Sequence, residues 1–203
     1  FQHCFSAFSW GFCLLSTLAG QFACQRTPAP QPEKGASKGS QQAPSAFTAD
    51  RFQSGGDIPR EFTCDGLNAS PGLIWTEPPV ATKSFALIPE ERDTSPHVSV
   101  RWIVYDIPAT ARQLGEAKPK RDELMDGTRQ GINDSRELGY SGTCPPPSRT
   151  GRYVFRLYAL DTKLELKTAV ARKCLEQGMS GHVLVQTELT GLYAREQQSH
   201  SPK

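Results

Sequence analysis

The stretch Val98–Pro108, "VSVRWIVYDIP", decides the fold class. It is rich in β-branched and aromatic residues and stops at a proline, which is typical of a β-strand. Because side chains two apart on a strand share a face, Val98, Val100, Trp102 and Val104 should lie on one face and Ser99, Arg101, Ile103 and Tyr105 on the other. The pattern predicts one strand with Arg101 in its middle, shortly after a loop that holds Glu90, Glu91 and Asp93.

Four further segments favour strands. A short apolar run covers Leu73–Trp75, and a nearly continuous one, Lys83–Pro89, is typical of a strand buried on both faces. Gly151–Asp161 alternates, and so does His182–Arg195, where Val183, Val185 and Leu189 should share a side. One segment, Lys167–Gly178, has helical spacing, with Thr168 as its cap and Gly178 as its end. Many strands and few helices predict an all-β antiparallel sandwich or barrel.

Composition and charge restrict the classes of function. The 203 residues carry a net charge of +2, and within residues 47–195 the basic and acidic residues balance at 19 each. A neutral domain lacks the electrostatic footprint of a protein that binds nucleic acid or an anionic membrane surface. The six cysteines form no C-x-x-C pair and have no histidine at zinc-ligand spacing, so we expect no metal site and no cofactor.

The ends of the chain differ from its body. Residues 1–24 contain no charged residue and are similar to the apolar part of a secretory signal, with a short membrane anchor as the alternative. Residues 25–46 are rich in Pro, Gln, Ser and Gly and predict a disordered linker. We therefore expect one domain over residues 47–195, followed by a polar tail over residues 196–203.

The apolar segment ends at Cys24, directly before the polar linker. This arrangement resembles a bacterial lipoprotein, in which Cys24 would be lipidated and Ala23 would be the small residue before it. Gln21 and Phe22 do not fit that pattern, and cleavage nearby, for instance after Ala19, is the alternative. Either way we expect an exported protein, periplasmic or associated with the envelope, that meets the membrane only through its signal or a lipid anchor.

Six segments, taken in order, resemble the phosphatidylethanolamine-binding protein family, in particular its bacterial, Raf-kinase-inhibitor-like branch. They are "GGDIPREFTCDGLNASPGLIW" (55–75), "TKSFALI" (82–88), "RWIVYDIPA" (101–109), "QGINDSRELGYSGTCPPP" (130–147), "RYVFRLYALD" (152–161) and "GMSGHVLVQTELTGLYAR" (178–195). The resemblance implies a β-sandwich of antiparallel sheets with a few peripheral helices. It also implies a small pocket at one end of the sandwich for phosphate, acetate or a phospholipid head group.

The resemblance assigns the pocket to particular residues. The two aspartates of the family's acidic loop fall on Glu91 and Asp93, and the histidine before the strand tryptophan falls on Arg101. The family's glycine loop falls on Gly142, Thr143 and Cys144. Its His-Arg-Tyr motif falls on Gly151, Arg152 and Tyr153. Both pocket histidines are thus replaced, one by Arg101 and one by Gly151.

The replacement by Arg101 leaves two interpretations open. A half-buried guanidinium keeps its charge and requires a partner. It could form a permanent salt bridge to Glu91 or Asp93 that closes the pocket. Alternatively, it could face the mouth and bind a phosphate or carboxylate, assisted by backbone N–H groups of the Gly142–Thr143 loop. The missing side chain at Gly151 should enlarge the opening.

The sequence favours a non-enzymatic binding protein, with phosphate or phosphorylethanolamine as the ligand implied by the resemblance. The alternative is a protein-interaction or inhibitor module whose pocket Arg101 closes. A hydrolase that used Glu91 and Asp93 is less favoured, because no nucleophile with a base and an orienting group is apparent and no catalytic residue is predicted. Cys64 and Cys144 stand at family positions in two loops, and in an exported protein they could pair.

Overall fold

The computed structural model describes residues 46–92, 98–166 and 170–195. The predicted apolar segment, the linker up to residue 45 and the polar tail lie outside these residues, as do Asp93 and Thr168. In chain order the strands are β1 (Phe47–Ala49), β2 (Leu73–Trp75), β3 (Ser84–Arg92), β4 (Val98–Val100), β5 (Val104–Pro108), β6 (Gln113–Leu114), β7 (Arg129–Gln130), β8 (Thr150–Leu160) and β9 (Val183–Ala194). The described part also contains a 3-10 turn at Arg60–Phe62 and one α-helix, α1 (Arg172–Met179). None of its helices has the length and hydropathy to cross a bilayer.

The strands form two antiparallel sheets, which confirms the predicted fold class. The small sheet has the order β1-β2-β6, and the large sheet has the order β7-β5-β3-β8-β9 with β4 also paired to β3. One hydrophobic core joins the sheets and includes Phe47, Leu73 and Trp75 of the small sheet with Phe85, Leu87, Val104 and Phe155 of the large one. This shared core makes the architecture a β-sandwich.

A second core covers the other face of the large sheet. Leu175 and Met179 of α1 pack there with Ala86, Ile88 and Tyr105. As a result β3 is covered on both sides, and its residues Ser84–Glu91 are all buried. This confirms the prediction from its continuous apolar run, since a strand between two cores needs no polar face.

The predicted continuous strand Val98–Pro108 is interrupted. Residues Arg101–Ile103 separate β4 from β5, and these three residues lie opposite only Ile88 and Pro89 of β3. This is a β-bulge, in which an extra residue shifts the faces by one position. Val100 consequently packs in the helix-side core with Ile103, whereas Trp102 packs in the inter-sheet core with Val104. The prediction that Val100 and Trp102 share a face is therefore wrong.

The connection between β7 and β8, residues 131–149, holds the bulge in place. The Ser141 N–H donates to the Arg101 carbonyl at 2.9 Å, and the Gly131 N–H donates to the Ile103 carbonyl at 3.0 Å. Asn133 accepts a bond from the Glu137 N–H, and Asp134 accepts one from the Val100 N–H. These bonds take the place of the strand ladder that the extra residue disrupts.

The helix differs from its prediction at both ends. It begins at Arg172 rather than near Thr168, because the Val170 carbonyl accepts a bond from the Ile132 N–H and Ala171 stays extended. Gly178 lies inside the helix, and the chain reverses at Gly181, whose φ is +81°. On β9, a bulge opposite Ala159–Leu160 places Val183 opposite Leu160, so Val183 does not share the inner face of Val185 and Leu189.

Leu87→Ala tests the central position of β3. Leu87 is fully buried, so we expect the free energy of unfolding to fall by about 2–5 kcal/mol through lost burial and the cavity left behind. The matched control is Leu67→Ala, because Leu67 is 82% exposed and the same change should cost less than about 0.5 kcal/mol. Chemical denaturation measures both values, and equal losses would contradict the assignment of β3 to the core.

Candidate functional site

Glu91, Arg101 and Tyr153 form the centre of the site. Glu91 lies near the end of β3 directly opposite Tyr153 of β8, and the Tyr153 hydroxyl donates to Glu91 Oε1 at 2.8 Å. Arg101, at the bulge, donates from Nε to Glu91 Oε2 at 2.7 Å, and its Nη2 contacts the same oxygen. Glu90 and Glu91 thus belong to a strand, not to the loop in which the sequence placed them.

The three side chains are largely removed from solvent. The Arg101 side chain is 17% exposed and that of Glu91 is 10% exposed. Burial raises the pKa of Tyr153 far above its usual range, and the Glu91 carboxylate raises it further, although Arg101 acts in the opposite direction. Tyr153 therefore stays protonated and remains a donor to Glu91. Both carboxylate oxygens are satisfied from within the protein.

Gly151 makes room for the ring of Tyr153. A Cβ at position 151 would lie 2.6 Å from the Tyr153 hydroxyl and 2.9 Å from Cε2 of the ring. The tyrosine thus occupies the space that a side chain at position 151 would need. The expectation that Gly151 enlarges the opening is wrong, because a neighbouring side chain fills the space and bonds to Glu91.

The loop Gly142–Cys144 borders the site. The Gly142 N–H donates to Asn68 Oδ1 at 2.5 Å, so this N–H already has a hydrogen-bond partner within the protein. The Thr143 carbonyl accepts a bond from the Cys64 N–H at 3.1 Å, and Cys64 forms a disulfide with Cys144 across a Cα–Cα distance of 5.4 Å. The Thr143 hydroxyl is buried close to Tyr153, yet it makes no hydrogen bond of normal geometry.

Sequence reasoning missed two contributors. Asn68 adopts a positive φ of 54° and supplies the oxygen that binds Gly142, and its only signal was the turn chemistry of "DGLNASPG". The buried Glu90, on the opposite face of β3, binds Arg172 at 2.8 Å and also contacts Arg156 and Arg92. No local pattern indicates this second ion-pair cluster, because Arg156 and Arg172 come from distant segments of the chain and only Arg92 lies on β3 with Glu90.

The reactive groups of the described site are bonded to one another. Within residues 46–92, 98–166 and 170–195, Glu91 is bonded through both oxygens, Cys64 and Cys144 are oxidised, and Tyr153 is held protonated. No group of acidic, histidine and cysteine side chains in these ranges could hold a metal ion. Asp93, the other predicted acidic residue, lies outside them. In the described site, Glu91 forms an ion pair with Arg101 and accepts a bond from Tyr153.

Gly151→Ala tests the packing of Tyr153. The added methyl group would overlap the ring, so the ring must move and lose its bond to Glu91. We expect the free energy of unfolding to fall by about 1–3 kcal/mol in a thermal or chemical melt.

The matched control for this change is Gly115→Ala, because a Cβ there meets only the flexible end of Lys118 at 3.7 Å. Its effect should be within about 0.5 kcal/mol. In a Tyr153→Phe background, Gly151→Ala should lower the free energy of unfolding by less, because the atom closest to the added Cβ is the Tyr153 hydroxyl oxygen. If Gly151→Ala and Gly115→Ala lower the free energy of unfolding equally, the Tyr153 ring does not fill the space beside position 151.

Comparison with known proteins places the chain in a family. The model of the phosphatidylethanolamine-binding proteins matches residues 48–194. A UPF0098 protein of Methanothermobacter thermautotrophicus is 45% identical over 144 residues, which cover 71% of this chain and 95% of the relative. A second UPF0098 protein, from Aquifex aeolicus, is 42% identical over 147 residues, which cover 71% of this chain and 85% of that protein.

Two crystal structures agree with this assignment. A phosphatidylethanolamine-binding protein homologue of Chlamydia trachomatis, CT736, superposes with a TM-score of 0.68 at 32% identity, covering 75% of this chain and 99% of the homologue. YbcL of Escherichia coli, described as a member of the mammalian family, gives 0.70 at 28% identity, covering 76% of this chain and all of YbcL. With its sandwich fold and a match over nearly all of the described residues, this chain belongs to the phosphatidylethanolamine-binding protein family.

Proposed function

We propose that this chain is an exported, non-enzymatic member of its family in which an internal ion pair closes the anion pocket. In this proposal the protein acts as an interaction module, through contacts on its outer surface. One observation carries the proposal: Glu91 accepts bonds through both oxygens, from Arg101 and from Tyr153. An anion that entered would have to displace a carboxylate that the fold already holds against the guanidinium.

The competition favours the internal partner. The guanidinium of Arg101 is largely buried, so it requires a negative partner. Glu91 is tethered beside it, and a tethered group acts as if present at millimolar concentration or above. A free phosphate at lower concentration cannot compete with it. The Gly142 N–H, which could have assisted an anion, is bound to Asn68.

Anion binding is the second candidate function. The Arg101 side chain keeps 17% of its surface exposed, and the Thr143 hydroxyl nearby has no partner of normal geometry. A phosphate or phosphorylethanolamine head group could use both groups if Glu91 moved aside. This alternative requires a rearrangement, whereas the closed pocket requires none.

Export is supported by the disulfide. Cys64 and Cys144 are joined across 80 positions of the chain, and such bonds persist mainly in oxidising compartments. Together with the charge-free residues 1–24, the disulfide favours a periplasmic or envelope location. Lipidation of Cys24 stays a prediction.

Calorimetric titration of phosphate or O-phosphorylethanolamine tests the closed pocket. We expect the wild type to give no binding heat at millimolar ligand. Glu91→Gln should bind the ligand, because it removes the competing charge but keeps a side chain that can bond to Tyr153. Adding Arg101→Ala to this variant should abolish the binding. Glu188→Gln is the control, since Glu188 lies outside the pocket and binds Arg156.

The outcomes separate the two candidate functions. If the wild type gives binding heat and the Arg101→Ala variant gives none, the pocket is not closed and the protein binds the anion through Arg101. If neither the wild type nor a folded Glu91→Gln variant gives binding heat, more than the ion pair closes the site. A panel of esterase, phosphatase and glycosidase substrates tests the non-enzymatic part, which turnover by the purified chain would refute.

Arg101→Ala should also destabilise the fold. Removing the guanidinium leaves Glu91 buried and uncompensated, which costs about 3–5 kcal/mol of unfolding free energy. The matched control is Arg112→Ala, because Arg112 pairs with Glu77, whose side chain is 80% exposed, and such pairs contribute about 0–1 kcal/mol. Combining Arg101→Ala with Glu91→Gln should restore much of the loss. Additive losses would argue against direct coupling of the two residues.

A further inference from the structure

The helix α1 covers only part of its face of the large sheet. The helix packs on Ala86 and Ile88 of β3. Its first residue, Arg172, binds Glu90 at 2.8 Å. Every second residue of a strand lies on the same face, so the next residue of β3 on this face is Arg92, and its side chain is exposed. The covered part of the face therefore ends between Glu90 and Arg92.

Four side chains lie in a row beyond the helix, one from each of four neighbouring strands. Arg92 of β3 lies directly opposite Arg152 of β8. Val98 of β4 lies opposite Arg92, and Leu192 of β9 lies opposite Arg152. Directly opposite residues point to the same face of a sheet, and strands are about 4.8 Å apart, so the row is about 14 Å long. We call these four residues the arginine row.

The positive charge of the arginine row is poorly neutralised. Arg92 makes one ion pair, to Glu90 at 3.3 Å. Glu90 also binds Arg156 and Arg172 through closer contacts, so three guanidinium groups share its single charge. Arg152 is exposed, and its side chain forms no ion pair or hydrogen bond with any residue that the structure describes. The two central side chains of the row are therefore available to an anion.

The arginine row has the chemistry to bind carboxylates. Like charges directly opposite each other on neighbouring strands are unfavourable, so a bound anion would stabilise the pair of Arg92 and Arg152. Each guanidinium presents a planar fork of N–H donors that matches a carboxylate. The Cβ atoms of opposite residues are about 5 Å apart, so both forks can reach the same anionic segment. Val98 and Leu192, which are half-buried, offer apolar contact at the two ends.

We propose that the arginine row docks an extended acidic segment of a protein partner, with carboxylates over the two arginines and an apolar side chain at each end. The inference rests on the proposed interaction module and deepens it, because it gives that module a surface and a partner chemistry. Charge complementarity carries it, since the basic and acidic residues of the domain balance and attraction can arise only locally. Nucleic acid or an anionic membrane would require a wider positive surface.

The arginine row lies on the other side of the sheet from the Arg101 pocket. Successive residues of a strand point to opposite faces. Arg92 follows Glu91 on β3, and Arg152 precedes Tyr153 on β8, so neither arginine points into the pocket. A segment bound at the row and an anion bound in the pocket would therefore contact different side chains.

Fluorescence anisotropy with a labelled peptide, Leu-Ser-Glu-Ser-Glu-Ser-Leu, and the full chain at low ionic strength tests the docking surface. In an extended peptide this sequence presents two glutamates between two leucines on one side. We expect a dissociation constant on the order of 100 µM, and no binding of the same peptide with glutamine in place of glutamate. Arg92→Gln and Arg152→Gln should each weaken binding about fivefold or more. The matched control is Arg112→Gln, because Arg112 pairs with Glu77 beside the small sheet.

A charge swap provides a readout that a structural role of the arginines would not change. The double variant Arg92→Glu with Arg152→Glu should lose the glutamate peptide and bind the same peptide with lysine in place of glutamate. The melting temperature of Arg152→Gln should equal or exceed that of the wild type, because the change removes a repulsion between opposite residues. If it lies below that of Arg112→Gln, Arg152 has a structural partner and the proposal is wrong.

The remaining outcomes separate the arginine row from the pocket. If the wild type does not bind the glutamate peptide at about 1 mM, the proposal is overturned. It is also overturned if vesicles of phosphatidylglycerol, but not the peptide, bind through Arg152. If the peptide survives Arg152→Gln but is lost when Arg101→Ala is combined with Glu91→Gln, it binds in the pocket, which contradicts the closed pocket as well. Phosphate binding through Arg101 together with peptide binding through Arg152 would contradict the closed pocket and support the docking surface.

Discussion

The antiparallel pairing of β3 with β8 is the constraint on which the rest of the structure depends. It runs through nine consecutive residue pairs, from Ser84 opposite Leu160 to Arg92 opposite Arg152. A slip of one residue would move every side chain of β3 to the other face of the sheet. The observed register places Leu87 in the inter-sheet core, Ile88 under the helix, and Glu91 opposite Tyr153.

That register also separates the two glutamates of β3. Glu91 faces the pocket and binds one arginine, whereas Glu90, one residue earlier, faces the helix side and contacts three arginines. A buried carboxylate without a partner is strongly unfavourable, so each position requires positive charge on its own side of the sheet. The arginines that supply it come from β3 itself, from the bulge, from the partner strand β8 and from α1.

Arg101 and Gly151, the two positions at which the sequence analysis expects family histidines to be replaced, are structurally coupled. Arg101 satisfies one oxygen of Glu91, and Tyr153 satisfies the other only because Gly151 leaves space for its ring. A larger residue at position 151 would displace the tyrosine, and a neutral residue at position 101 would leave the carboxylate unpaired. Positions 101 and 151 therefore act together on Glu91.

Most of the strands could be predicted from the sequence, because alternation and apolar runs are local signals. They identified β2, β3, β8 and β9 and the mainly antiparallel class, and the family segments identified the family. The sequence also showed that Arg101 needs a negative partner. It could not choose between Glu91 and an external anion, since both satisfy the same charge.

In the tertiary structure, the partner of Arg101 is Glu91. The bulge at Arg101–Ile103, held by bonds from the loop over residues 131–149, turns the guanidinium toward Glu91, and the register of β8 brings Tyr153 to the other oxygen. Bulges, register and the filling of space next to Gly151 depend on contacts between residues far apart in the chain. A periodic pattern reflects only residues that are close together in the chain, so the sequence by itself determined which strands form. The packing of distant segments determined which side chains bond to Glu91.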